Sequence, residues 1–417
     1  MPWLRRTQLN KHFFHTYPVL LLLSCNAFGA MFALKEQAVS SLGNAYAGTA
    51  VNIADAAIGY YNPAGLGALK NSQLNIAGFM EHERVKIIDT IATSAENGTF
   101  VSGRSPVKYN HSYFIPSVHA ALKVNNYVTL GLNCTSPFGF KSYFASDSLV
   151  RYKDAGSKLT SYDISPSIGI KLSDAYYAGF GIDWLHLSSN FKNYVTSTNL
   201  QSVTGNGHKV GFHAGLLWVP SNKMRMGLAY HSGFNTKLKG RLKSDTVDSA
   251  VTYGLRLPNK IVYSISADIA ADWSMMANVE RVNWAKFKDY TVTQPDGTYV
   301  STLWHLRNTW KFALGFDYRL SALTIKFGVA YEQGANISGL TTLRVPDSSN
   351  YQVACGLNYN FNKNFSIDFG YAHLFYNGAK IAQSGFQTNL GMSNDTLSGG
   401  YENSVDIIGI QLNIKIA

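Results

Sequence analysis

The chain has 417 residues, of which 46% are hydrophobic, 13% aromatic and only 15% charged, against roughly 25% charged residues in soluble domains. No apolar run is longer than that of Val19–Leu23, which excludes helical membrane spans of about 18 apolar residues or more. The 25 Tyr, 23 Phe and 7 Trp residues exclude intrinsic disorder. A large all-β protein remains, either a secreted sandwich array or a transmembrane barrel.

Residues 1–29 have the pattern of a secretory signal peptide. A basic start between Arg5 and Lys11 precedes a short apolar core, and Ala27-Phe28-Gly29 is a small-x-small cleavage site. An alternative is a lipoprotein signal, with a lipid on Cys25. Removal of the signal leaves 33 basic and 25 acidic residues, a net charge of +8. This excess is mild and contains no basic run, so no nucleic-acid partner is expected.

Residues 30–70 are rich in Ala and Gly and lack the alternation of a strand. The segment is too apolar for a solvated tail, and a wide barrel has a lumen that must be wet or filled. We therefore expect residues 30–70 to form a small helical hatch, that is, a plug inside a barrel.

Short polar turns divide residues 71–417 at regular intervals. They lie near positions 125, 173, 221, 271, 320 and 362. Each interval holds two strand-like segments around a longer polar loop, which gives fourteen strands. An even strand count, with short turns at one end and long loops at the other, predicts an antiparallel transmembrane β-barrel.

The alternation of side chains agrees with a bilayer. In the segment from Trp310 to Tyr318, aromatic and aliphatic residues point one way and small or polar residues the other. The segment from Ile408 to Ile416 repeats this pattern. Trp218 and Trp273 flank turns, as an interfacial girdle requires, although aromatic residues also favour strands in general.

The third strand meets Ser136-Pro137-Phe138-Gly139-Phe140. Proline cannot donate a ladder hydrogen bond and glycine relaxes the backbone, so we expect the strand to bend at Pro137, Phe138 and Gly139. In the alternative interpretation, Pro137 is the first residue of an extracellular loop.

Several motifs resemble the long-chain fatty acid outer-membrane transporters, the FadL and TodX-like family. The similarity extends over nearly the whole mature chain and is carried by Ala30–Glu36, Leu42–Gly48, Asn62-Pro63-Ala64, Leu257-Pro258, Asn283–Phe287, Val345-Pro346-Asp347 and Gly356–Tyr359. The resemblance implies a hatch-plugged fourteen-strand barrel in the outer membrane of a Gram-negative bacterium. It also implies uptake of hydrophobic compounds, with an inward kink of the third strand that touches Asn62-Pro63-Ala64 and opens the wall laterally.

A fatty acid needs an apolar sleeve and a cationic anchor. Arg307 and Lys311 have the inward parity of a strand from Leu303 to Arg319, and the resemblance places a carboxylate-binding basic residue at Arg307. Either cation could instead pair with a lumen acid such as Asp317. Candidate sleeve residues in the hatch are Phe32, Leu34, Ile53, Ile58 and Leu66.

No Gly-x-Ser-x-Gly or His-Glu-x-x-His motif occurs, so we expect neither an enzyme nor a metal site or cofactor. The histidines, such as His213 and His231, are each interpreted as isolated. The expected partners are hydrophobic small molecules and membrane lipid, and a monomer is expected. The sequence leaves open whether fatty acids or aromatic hydrocarbons are carried. Hydrophilic porins and surface receptors or adhesins remain alternatives with the same architecture.

Overall fold

The computed structural model describes residues 31–103, 106–287, 290–302, 304, 306–337, 342–345, 347–385, 387–388 and 391–416. The signal peptide expected at residues 1–29, Cys25 and Ala30 lie outside the described residues. No helix among the residues described is long and apolar enough to cross a membrane.

Fourteen antiparallel strands form one closed barrel, which confirms the predicted strand count and fold. The last strand pairs with the first from Ser72–Ile416 to Ala92–Leu397 and so closes the sheet. The strands are β1 Ser72–Ala92, β2 Val107–Lys123, β3 Val128–Thr135 with Gly139–Tyr143, β4 Gly156–Lys171, β5 Tyr176–Tyr194, β6 Leu200–Ser221, β7 Met224–His231 with Phe234–Lys243, β8 Asp248–Leu257 with Lys260–Asp268, β9 Trp273–Val282 with Tyr290–Thr293, β10 Tyr299–Thr302 with Thr309–Leu320, β11 Leu323–Glu332, β12 Asn350–Asn360, β13 Phe365–Tyr376 with Ala379–Gln383, and β14 Leu397–Ile416. Two further short pieces, Gln387–Thr388 and Gly391–Met392, form a hairpin in the loop before β14.

The six predicted turns all lie between consecutive strands at one end of the barrel. Short turns mark the periplasmic end of an outer-membrane barrel, and long loops mark the extracellular end. Along β10, Trp310, Phe312 and Leu314 are exposed outward while the residues between them are buried. At the turns, Trp218 stacks on Tyr176 and Trp273 stacks on Tyr318 on the outer surface, where a girdle would meet the lipid headgroups.

The hatch fills the periplasmic half of the lumen with short helical pieces. One α-helix, α1, spans Ile58–Tyr61, and 3₁₀ helices span Val39–Asn44, Thr49–Val51 and Pro63–Ala68. A further 3₁₀ helix, Trp284–Lys286, lies between the two parts of β9. Almost every hatch residue is buried. Pieces this short have no core of their own, so the hatch depends on the wall for its packing.

Glycines in the wall provide the room for this packing. A Cβ added to Gly328 would lie 2.1 Å from the Asn44 backbone, and one added to Gly356 would lie 2.9 Å from Gly43. On the opposite side of the lumen, a Cβ on Gly215 would lie 1.9 Å from Asn62 Oδ1. The small inward residues of these strands therefore fit the hatch closely, rather than lining open water.

Strand β3 is interrupted at the position of Pro137. Below the break, β3 pairs with β2 from Lys123–Thr129 to Val118–Cys134. Above it, within the described residues, Gly139–Tyr143 forms a backbone ladder with β4 but none with β2, although β2 continues upward beside β1 as far as Val107 and Tyr113 Oη of β2 donates to Lys141 O at 3.0 Å. The ladder between β2 and β3 is therefore missing in the extracellular half of the wall.

Candidate transport pathway

The hatch residue Gln37 lies where β2 and β3 separate. Its side-chain amide donates to Ser136 O at 3.0 Å and its Oε1 accepts from Ser136 N at 3.2 Å, much as a neighbouring strand would. Its backbone oxygen accepts from Ser117 Oγ at 2.7 Å and lies 2.7 Å from His119 Nε2. Gln37 thus bridges the two strands at the lower edge of the missing ladder and is fully buried.

The segment before Gln37 also contacts the break directly. Leu34 N donates to Pro137 O at 2.9 Å and Gly139 N donates to Phe32 O at 3.0 Å. Ala33 and Phe138 face each other as an antiparallel bridge. The broken strand therefore continues its hydrogen bonding with the hatch in place of β2.

A narrow cavity lies between this segment and the far wall. We call it the inner cavity. It is lined by Ala33, Leu34, Lys35, Tyr60, Pro137, Phe138, Asp163, Asp183, His231, Ser232, Phe234, Pro258, Lys260, Glu280, Val282 and Glu332. The surface of this cavity is mostly apolar, although six of these sixteen residues are charged.

Two lysines and four carboxylates line the inner cavity. Lys35 pairs with Glu332. Burial lowers the pKa of Lys35, but the carboxylates of Glu332 and Glu280 raise it by more, so its pKa lies above the ordinary value and the ammonium stays charged. Lys260 lies over the Tyr60 ring at 5.3 Å and, among the described residues, has no carboxylate within 4 Å. Lys260 is therefore the cation that remains available to a ligand.

A second cavity, the outer cavity, lies near the extracellular ends of the strands and has an empty volume of about 830 Å³. Its lining includes Phe191, Leu242, Tyr290, Val292 and Arg344. The Arg344 guanidinium donates to Tyr290 Oη and lies 5.2 Å from the Phe191 ring centroid. The outer cavity thus also combines apolar walls with one cation.

Aromatic rings connect the two cavities. Phe191 of the outer cavity stacks on Phe140 at 6.1 Å, and Phe140 lies 5.7 Å from Phe32 of the hatch. Phe32 in turn lies 6.4 Å from Phe138, which contacts Phe234 of the inner cavity at 6.3 Å. These rings belong to one buried apolar cluster, which we call the apolar column. Phe32 contributes a hatch ring to the column, and Trp284 packs on it at 4.8 Å.

The predicted anchors occupy different places from those expected. Arg307 precedes the second part of β10, which begins at Thr309, so the expected inward parity is wrong. Its backbone N donates to Ala335 O and its Nε to Gly334 O at 2.9 Å, and this loop contact leaves Arg307 exposed. Lys311 does point inward, but its Nζ lies over the Tyr46 ring and 3.3 Å from Gln352 Oε1, outside the lining of the inner cavity.

The hatch candidates divide into two groups. Phe32 and Leu34 lie at the column and the inner cavity, whereas Ile53 and Ile58 pack with Leu66 near the base of the hatch. The backbone hydrogen bonds of the kink to the hatch go to Phe32 and Leu34, whereas Asn62 of the Asn62-Pro63-Ala64 motif bonds to another part of the wall. Asn62 Nδ2 donates to Leu216 O of β6 at 3.1 Å and to Ala50 O at 2.7 Å, because the glycine at position 215 admits its side chain there.

Two histidines that look isolated in the sequence stack on each other at 5.5 Å, namely His213 and His231. His213 Nδ1 lies 2.6 Å from Asp183 Oδ1 and its Nε2 lies 3.1 Å from Gly59 O of α1. The two histidines meet because strands β6 and β7 pair with His213 opposite His231. A prediction of strand register from the sequence would have brought them together. They hold the hatch beneath the inner cavity.

A closed barrel with a plugged lumen, a buried apolar column and an interrupted wall strand defines a membrane channel for hydrophobic compounds. Residues 20–416 match the model of the outer membrane protein transport proteins (OMPP1/FadL/TodX). The chain belongs to this family, which confirms the resemblance seen in the sequence. It is an outer-membrane transport protein for hydrophobic compounds and not an enzyme.

Curated relatives and solved structures agree with this assignment. The 47 kDa outer membrane protein of Pasteurella multocida is 24% identical over 393 residues, which cover 85% of this chain and 89% of the relative. A long-chain fatty acid transport protein of Escherichia coli K12 is 21% identical over 420 residues, covering 88% and 92%. The fold is that of a Pseudomonas aeruginosa FadL homologue (19% identical, 93% and 100% covered, TM-score 0.85) and of the Ralstonia pickettii toluene transporter TbuX (16% identical, 90% and 98% covered, TM-score 0.64).

Proposed function

We propose that the protein takes up long-chain fatty acids. The observation that carries the proposal is the apolar column between the two cavities, with Arg344 in the outer cavity and, in the inner cavity, Lys260, which has no carboxylate within 4 Å among the described residues. Arg344 provides a carboxylate partner near the extracellular surface, and Lys260 provides a second one at mid-depth. The buried rings between them would offer an apolar surface to an alkyl chain, and a charge-assisted hydrogen bond would fix the headgroup at either end. Relatives named as long-chain fatty acid transport proteins support this choice.

A second candidate, uptake of neutral aromatic hydrocarbons, is favoured by one observation. The inner cavity carries four carboxylates (Asp163, Asp183, Glu280 and Glu332) against two lysines. This excess of negative charge weakens the attraction for an anion and does not affect a neutral ring. The fold shared with a toluene transporter is compatible with either substrate.

Neutralising the cavity cations distinguishes these substrates. We expect Lys260→Met and Arg344→Gln each to weaken oleate binding by roughly 10-fold or more, because a hydrogen bond to a charged group contributes about 1.5–3 kcal/mol. Toluene binding should change little. Binding of both ligands to the purified variants, measured by fluorescence displacement, provides the comparison.

Arg307→Gln is the matched control, because it removes an equivalent charge from an exposed loop. Unchanged oleate affinity in both cavity variants would exclude a carboxylate site there and favour neutral substrates. An equal loss of oleate and toluene would point to a distorted cavity instead.

We further propose that ligand leaves laterally, through the wall between β2 and β3. The support is Gln37, whose amide replaces the missing strand partner of Ser136 and whose carbonyl is held by Ser117 and His119. Withdrawal of residues 31–37 would remove this bridge and vacate the space beside Phe138 at the same time. The inner cavity would then open toward the bilayer.

Gln37→Leu provides a test of this step. Leucine leaves the Ser136 amide and carbonyl unpaired, at about 1–3 kcal/mol for each buried group, so the closed state should lose stability and transfer of a fluorescent fatty acid into proteoliposome membranes should accelerate. Gln411→Leu is the matched control, since Gln411 also joins hatch and wall, through Val39 N and Asp55 Oδ2, but lies on β14. Equal rates in Gln37→Leu and wild-type protein would contradict lateral release at Gln37.

A further inference from the structure

The upper part of β7 reverses the polarity of the barrel wall. From Phe234 to Lys243, apolar residues such as Leu238 and Leu242 are buried in the lumen, while Lys237, Lys239, Arg241 and Lys243 are exposed on the outside. Because the cations alternate with apolar residues, they do not form a run in the sequence. They form a stripe once the strand is folded.

Strand pairing extends this stripe sideways into a band. In the strand register, Arg241 is paired with Thr204, Thr204 is paired with Asn190, and Asn190 is paired with Lys158. Lys158 pairs with Lys141 beside the break in β3. One row higher, Lys243 is level with Ser202 and Lys192. We call these cations the basic band: Lys141, Lys158, Lys192, Lys239, Arg241 and Lys243.

The basic band lies just above the lipid-facing surface. On β5, Phe180, Ile182 and Trp184 are exposed apolar residues, and Ser188, four residues above Trp184, is level with Lys239 through Asn206. Four residues correspond to about 13 Å along a strand, or roughly 10 Å in height at the usual tilt of a barrel strand. The cations of β7 therefore lie on the extracellular side of the exposed apolar residues of β5.

Some cations elsewhere on this surface are paired with carboxylates of the protein. On the opposite wall, Arg84 pairs with Asp406 at 2.6 Å and Lys86 with Glu402 at 3.2 Å. Within the described part of the chain, the band has one such pair, Arg241 with Asp248 at 2.7 Å. The five lysines of the band have no carboxylate within 4 Å among the described residues, although Asp248 is the register partner of Lys243. A groove of about 840 Å³ empty volume, lined by Lys141, Lys158 and Lys192, runs between them.

We propose that the basic band is a docking surface for a phosphorylated glycolipid of the outer leaflet, with its phosphate groups on the lysines and its acyl chains on the apolar wall below. Charge complementarity and position select this occupant over a soluble partner. Basic residues near an anionic membrane surface each strengthen attachment to it. The site would place such a lipid beside the interrupted strand β3.

Binding of diphosphoryl lipid A to the full-length protein in phosphatidylcholine nanodiscs tests the proposal. We expect the triple variant Lys239→Gln, Arg241→Gln, Lys243→Gln to bind lipid A at least about tenfold more weakly than wild type, and Lys158→Gln alone to bind it a few-fold more weakly. The double variant Arg84→Gln, Lys86→Gln should bind like wild type. Heat-dependent mobility on a denaturing gel verifies that each variant is a folded barrel.

Lipid A stripped of both phosphates should bind wild-type protein no better than the triple variant binds the intact lipid. Equal affinity of the wild type and both band variants for diphosphoryl lipid A would overturn the proposal. It would also be overturned if heparin, a soluble polyanion, bound wild-type protein more tightly than lipid A does.

Discussion

A disulfide between position 33 of the hatch and position 138 of β3 should abolish uptake. The two residues are directly opposed as a non-hydrogen-bonded antiparallel pair, for which the Cα separation is about 4.5 Å, within the range that a disulfide spans. Oxidised Ala33→Cys, Phe138→Cys protein would hold residues 31–37 against the wall and keep Gln37 in place. Fatty acid uptake should fall to the level of cells that lack the protein.

The background for this experiment is Cys134→Ser, Cys355→Ser, because both native thiols are free and exposed. Reduction of the disulfide should restore uptake, and each single-cysteine variant should be insensitive to oxidant. Restoration also separates the effect of the crosslink from that of removing the Phe138 ring. Wild-type uptake by the fully oxidised protein would show that the hatch segment does not need to leave β3.

Gly215→Val should displace the hatch and make the barrel leaky. The first added carbon alone would lie 1.9 Å from Asn62 Oδ1, so the Asn62 side chain must leave the wall and give up its bonds to Leu216 O and Ala50 O. Overpacking of this kind costs about 1–3 kcal/mol, in addition to the lost hydrogen bonds. Single-channel conductance in planar bilayers should rise, and cells should become sensitive to bulky hydrophilic antibiotics.

Gly254→Val is the control for the same increase in volume, since a Cβ at Gly254 meets nothing nearer than Thr236 O at 4.0 Å. We expect its conductance to match that of wild type. If the Gly215 variant also conducted like wild type, the glycine contact would not be what seats the hatch.

The sequence predicts most of the architecture because few local rules decide it. Short polar turns set the strand number, and side-chain alternation sets which face meets lipid. The interruption at Pro137 follows from a missing backbone donor. Each of these properties depends on residues that are neighbours in the chain.

The positions of the cations are harder to predict because parity alone does not place them. Parity places Lys311 inward, but the hatch covers Lys311 with Tyr46, and the cation left in the cavity is Lys260, which the sequence did not single out. At Arg307, hydrogen bonds to Gly334 and Ala335 replace the strand that alternation suggests. The contacts that decide these cases join residues far apart in the chain.

The close fit between hatch and wall also constrains the order of assembly. Because a Cβ on Gly356 would lie only 2.9 Å from the Gly43 backbone and one on Gly328 only 2.1 Å from the Asn44 backbone, little clearance is left for a folded hatch to slide into a finished barrel. The hatch precedes β1 in the chain, and β1 forms the closing seam with β14. We therefore expect the hatch segment to be enclosed as this seam forms, so that insertion of the barrel into the membrane and placement of its plug are one event.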